Sequence, residues 1–178
     1  LYGSAGLSFG KIVSRDWAID LARAYNDWMY ETYLSKSRRF RAMGLIPLQE
    51  PKEAVNELRR IVQELNMSGA MLPSTGANMP HLGSEQFWPI YEEAERLGCA
   101  IGIHGRAHEA MLMDDMSPYA PVNALGHPWG QMVNFAGIVF NGVFDRFPGV
   151  RIGFLEAGCA WVLTCMERFT RSWASHVQ

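Results

Sequence analysis

The sequence is poor in several features that would place it in well-defined classes. Its 178 residues include only three cysteines, Cys99, Cys159 and Cys165. An odd count without CxxC spacing excludes a disulfide framework and a zinc knuckle, and it fits a reducing compartment such as the cytoplasm. Cys99 and Cys159 lie in apolar stretches, where a cysteine is expected to behave as a small buried hydrophobe. No uninterrupted apolar run reaches the roughly 20 residues of a membrane span, so no membrane partner is expected. The opening at Leu1 lacks an initiator Met, a charged n-region and a cleavage signature, from which we expect no signal peptide and further sequence upstream.

An excess of charge of one sign is also lacking. Lys and Arg total 16 against 18 Asp and Glu, for a formal net charge of −2. Such a balance gives no basic face for nucleic acid. The one basic cluster, Lys36, Arg38, Arg39 and Arg41, reads as a solvated connection. No GxGxxG or GxxxxGK loop occurs, which argues against a nucleotide site, and neither a GxSxG elbow nor an HExxH pair is present.

What remains is an ordinary globular balance, 48% hydrophobic and 19% charged, enough for one core. Four short apolar runs read as buried strands: 42–48 (AMGLIPL), 69–73 (GAMLP), 99–104 (CAIGIH) and 150–156 (VRIGFLE). None alternates between polar and apolar, so both faces are expected to be covered. Helical patterns lie between them. Residues 51–66 carry Val55, Leu58, Ile61, Val62 and Leu65 on one stripe, with Pro51 in the first turn. Residues 84–97 carry Phe87, Ile90, Ala94 and Leu97, with Ser84 as N-cap and Gly98 as stop. Further helices are expected over 15–34, with Trp17, Leu21, Ala24 and Trp28 on one side, over about 129–144, and over about 158–175.

The alternation is β, α, β, α, hence an α/β architecture with right-handed crossovers. Either a doubly wound sheet or a barrel satisfies it. A complete (β/α)8 barrel needs about 250 residues, more than this chain has. The third interval is stretched by a Met- and Pro-rich loop, 106–126, placed directly after the strand that ends in His104, where a lid would sit.

Sites in parallel α/β folds form at the carboxyl ends of strands. His104 ends one strand and either aims a ring nitrogen into the mouth or closes the strand structurally. Glu156 ends another, where a carboxylate is costly unless paired, coordinated or used; a salt bridge to an arginine is the plain alternative. His127, before Pro128, caps a helix or reaches the site. His81, His108 and His176 read as loop or terminal histidines.

Five segments together resemble a known group: YNDW (25–28), GLIPLQEPKEAVNELRR (44–60), IGIHG (101–105), GHPWGQM (126–132) and FDRFPGVRIGFLEAGCAWV (144–162). They are similar, in order, to the amidohydrolase-related metal-dependent TIM barrels that include the aminocarboxymuconate semialdehyde and resorcylate-type decarboxylases. The resemblance implies an incomplete (β/α)8 barrel spanning residues 1–178, with strands three to six present. It also implies a divalent metal, zinc being the usual one, a small-molecule substrate, and His104 as the metal ligand closing strand five. On this basis we expect a metal-dependent hydrolase or decarboxylase, and the strand-end and loop readings add Glu156 as catalytic and His127 as substrate-binding. The family's HxH or ExH pair on strand one and aspartate on strand eight have no counterpart here. The studied decarboxylases place a histidine where Glu156 stands. The alternative is a non-catalytic assembly or binding subunit, and exposed sheet edges leave room for a homo-oligomer.

Overall fold

In the computed structural model, residues 1–76, 79–105 and 111–176 are described. Four parallel strands, β1 (Met43–Leu45), β2 (Gly69–Pro73), β3 (Ala100–His104) and β4 (Arg151–Leu155), lie side by side in chain order. The order never reverses, which removes the doubly wound alternative among the described residues. The register aligns Pro73 with His104 and His104 with Leu155, so three strand tips end at one level.

The helices are α1 (Arg15–Met29), extended by a π turn over Tyr30–Leu34, α2 (Pro51–Gln63), α3 (Trp88–Leu97), α4 (Tyr119–Phe140), the short α5 (Val143–Arg146) and α6 (Ala160–His176). Strand side chains alternate between two packing environments. Ala70, Leu72, Ile101 and Ile103 are buried in one cluster with Leu58 and Ile61 of α2 and Ile90, Tyr91 and Ala94 of α3. Met43, Leu45 and Met71 point the other way, into a smaller cluster with Phe9, Ala18 and Ala22. Truncating a fully buried member such as Leu58 or Ile101 to Ala costs about 2–5 kcal/mol. Gly69 has φ +151°, and a Cβ there would overlap the Ala100 carbonyl, so the β2–β3 crossing admits only glycine.

Several expectations need correction. β1 covers three residues of the expected seven, since Pro47 cannot donate to a ladder. β4 alternates between exposed and half-buried, so its faces are not fully covered. The tryptophan side of α1 faces outward, with Trp17 69% and Trp28 49% exposed, while the small Ala18 and Ala22 are buried with Met29 and Asn26. Small side chains let α1 come close to β1, and Asn26 uses that proximity. Its Nδ2 donates to Leu45 O (2.8 Å), and its Oδ1 accepts from Leu45 N (2.9 Å), satisfying both main-chain groups of an edge residue. Ser84 makes no side-chain cap, and a 3-10 turn over Glu85–Phe87 precedes α3 instead. Gly98 does stop α3, at φ 62°. Cys159 is exposed, against expectation, whereas Cys99 and Cys165 are buried. Pro128 does not mark a helix start: α4 begins at Tyr119, and Pro128 lies inside it.

α2 and α3 are joined by charge as well as by packing. Glu93, its side chain 9% exposed, accepts from Arg96 Nη2 (2.5 Å) and Arg59 Nε (2.9 Å). The hydrogen bond from Arg96, and then that from Arg59, hold its carboxyl below the usual 4.5. A depressed folded-state pKa gives stability that is present above the unfolded value and lost as pH falls through the folded one. The wild-type melting temperature should therefore drop more steeply below about pH 4.5 than that of Glu93→Gln, and parallel acid limbs in calorimetry would reject the linkage.

Candidate metal centre

The parity of β3 decides where His104 points. Ile101 and Ile103 turn toward α2 and α3, so Gly102 and His104 turn to the opposite face. The imidazole is 4% exposed there. Its Nδ1 lies 2.7 Å from Gly105 O, which can only accept, so Nδ1 carries the hydrogen and Nε2 is left to face the site. Nε2 stands 3.2 Å from Glu156 Oε2. A bare nitrogen lone pair beside a carboxylate oxygen is repulsive, and a second proton or a cation between them relieves the repulsion.

Glu156 follows β4 in the left-handed region, at φ 58°. This unusual conformation for a residue with a side chain marks the strand tip as a point of strain. The carboxylate is 71% exposed and its partner is His104 rather than an arginine. The burial cost expected for Glu156 therefore does not arise. His127, half-buried on α4, brings the third group, its ring centroid 5.8 Å from that of His104 at 68°. It can come so near because Gly105 has no side chain: a Cβ there would sit 2.5 Å from His127 O and 2.7 Å from its Cα. His81 and His176 are exposed, and His108 lies outside the described residues.

His104, His127 and Glu156 each offer one ligand atom, all within 4.8 Å of one another. Bonds of about 2.0–2.2 Å would set tetrahedral donors roughly 3.4 Å apart, so closure by at most about 1.4 Å would suffice. Two imidazoles and a carboxylate are a fitting donor set for a divalent transition metal or manganese, with room for water or substrate. The donor chemistry and the fixed His104 tautomer both fit such an ion. The profile of the amidohydrolase family, Amidohydro_2, matches residues 6–176.

The chain belongs to the amidohydrolase family. Among its relatives, a 2-amino-3-carboxymuconate-6-semialdehyde decarboxylase of Dictyostelium discoideum is 31% identical over 156 residues, covering 88% of this chain and 43% of that protein. A gamma-resorcylate decarboxylase of Rhodococcus jostii (strain RHA1) is 33% identical over 159 residues, covering 79% of this chain and 46% of the relative. The chain thus spans less than half the length of these curated relatives. The crystal structure of a dihydroxybenzoic acid decarboxylase from Polaromonas sp. JS666, with bound manganese and the inhibitor 2-nitroresorcinol, superimposes with TM-score 0.73 at 25% identity. That match covers 82% of this chain and 46% of the other. The four strands and their helices are accordingly part of a (β/α)8 barrel. No helix among the described residues is long and apolar enough to cross a membrane.

Two residues that sequence reasoning passed over organise this face from α4. Gln131, fully buried, donates from Nε2 to both Ile103 O and Leu155 O at 2.9 Å. Asn134 bonds Ser74 O through Nδ2 and accepts from Leu82 N at 2.7 Å, tying the loop after β2 to the same helix. A polar residue every third or fourth position in an otherwise apolar helix was the available sign, and it reads equally as a solvated face.

Proposed function

We propose that the protein carrying this chain is a metal-dependent decarboxylase of a small aromatic or unsaturated carboxylate. The observation that carries the reading is the convergence of His104, His127 and Glu156 at the tips of β3 and β4 and on α4. The names of the relatives favour decarboxylation over hydrolysis, and an enzyme over an assembly subunit. The manganese of the Polaromonas relative favours a divalent ion, without singling out the zinc expected from the sequence.

A bound divalent ion would supply charge stabilisation to substrate oxygens and a fixed place for them. His104 would hold that ion through Nε2, the nitrogen freed by the Gly105 hydrogen bond. His127, facing the same space, binds the acid group of the substrate. Loss of carbon dioxide breaks the bond to the carboxyl carbon and leaves the electron pair on the ring or alkene carbon, which must then gain a proton. Glu156 delivers it, the carboxyl group within the donor cluster, and its exposure lets it recover a proton from water.

The test is carbon dioxide release from gamma-resorcylate and from 2-amino-3-carboxymuconate-6-semialdehyde, before and after chelation with EDTA. Turnover of at least one substrate, lost on chelation and restored by Mn2+ or Zn2+, is expected. Glu156→Gln should lower kcat about a hundredfold, the lower range of general acid catalysis, and should also weaken metal binding, because its Oε2 is one of the three converging donor atoms. Release of amine from the matching amides, with no carbon dioxide from either acid, would replace this reading by a hydrolase.

A further inference from the structure

The distance between His104 and Glu156 is not fixed by either residue alone. Each belongs to a different strand, and the register of that parallel pair ends at His104 and Leu155. Ile103 and Leu155 are the residues immediately before His104 and Glu156, and their carbonyls converge on one amide nitrogen. Gln131 Nε2 has two hydrogens and spends one on each carbonyl. The side chain is fully buried, and its Oε1 finds no partner among the described residues. That unpartnered oxygen carries a desolvation cost, which the native arrangement retains for the sake of the two donated bonds. Turning the amide over would bring Oε1 against two carbonyl oxygens, so only one orientation is stable.

The same helix carries His127 one turn earlier, and Asn134 one turn later secures it to the tip of β2. Ser74 N in turn donates to His104 O at 2.9 Å. One rigid element therefore sets where three strand tips and the third donor stand. We propose that Gln131 is a positioning residue for the metal centre, acting as a staple between β3 and β4 that holds His104 Nε2 and Glu156 Oε2 at ligand spacing. This rests on the metal-dependent reading above, and it adds a residue that touches neither metal nor substrate.

Two variants separate positioning from packing. Gln131→Met keeps length and fills the space without donors. Gln131→Asn keeps the amide, one methylene too short to reach both carbonyls, and serves if the first does not fold. Ile138→Ala, a cavity in the same buried helix face, is the control for stability alone. Titration of each protein with MnCl2 by calorimetry should show affinity about ten- to a hundredfold weaker in the Gln131 variants, the range for lost supporting bonds around a ligand. The Ile138→Ala protein should stay within about twofold of wild type at a comparable loss of melting temperature. Unchanged affinity in the Gln131 variants, or an equal loss in Ile138→Ala, overturns the proposal. Should the wild type bind no Mn2+, the functional reading fails separately. Metal-free crystal structures still decide the staple: the 3.2 Å separation should open past roughly 4 Å in Gln131→Asn, and an unchanged separation overturns it.

Discussion

Replacing His104 by alanine is expected to weaken Mn2+ or Zn2+ binding by at least about a hundredfold and to bring carbon dioxide release to background, beyond the tenfold to hundredfold effect typical of supporting residues. The imidazole is 4% exposed and has both nitrogens committed, Nδ1 to Gly105 O and Nε2 toward the site. Neither Glu156, 71% exposed, nor His127 on its helix is so constrained, and both lose their common neighbour in the variant. Free water can replace a lost ligand, but it does not restore the fixed lone pair that made the site selective for a cation. His104→Gln keeps a hydrogen-bonding side chain of similar reach and should recover packing without recovering affinity. Calorimetric titration with MnCl2 alongside a thermal melt reads both effects. Binding within tenfold of wild type in His104→Ala would show that the ion, if bound, is held elsewhere.

How much of this was legible in the sequence follows from what each segment buries. β2 coincides with its apolar run and β3 differs from its run only at one end, because strands covered by helices announce themselves as continuous apolar stretches. β4 also differs from its run only at the ends, although its faces are not fully covered. His104 was legible as a strand-tip residue for the same reason. α4 was not, since Pro128 usually interrupts a helix and the Met- and Pro-rich stretch before it reads as loop. Losing the first part of α4 hid the role of Gly105, which is visible only as the near approach of His127 to the strand tip. α1 was found but turned the wrong way: large tryptophans dominate its periodicity, while the contact with β1 is made by Ala18, Ala22 and Asn26. Gln131 and Asn134 escaped because a buried amide and a solvated amide are the same letter. Their partners are backbone carbonyls, to which sequence patterns are blind.

Gly105→Ala offers the sharpest test of that geometry. The added methyl would lie 2.5 Å from His127 O, 2.7 Å from Cα and 2.9 Å from C, all main-chain atoms of a helix that cannot rotate aside as a side chain would. Either α4 lifts from the β3 tip or the tip bends, and both separate His127 from His104. Overpacking of this kind costs about 2–3 kcal/mol, or roughly 5–10 °C in melting temperature for a chain of this size. A shift of about 1 Å in the site is worth around a hundredfold in activity. Gly158→Ala is the matched comparison. It has φ 66° but nothing within 4 Å of its Cβ position, so it should cost only the left-handed backbone penalty, about 1 kcal/mol. If the two alanine variants melt alike and Gly105→Ala keeps wild-type turnover, then the close approach of α4 to β3 does not build the site. A larger melting loss with turnover falling in step would show that a missing side chain at residue 105 holds a histidine in place.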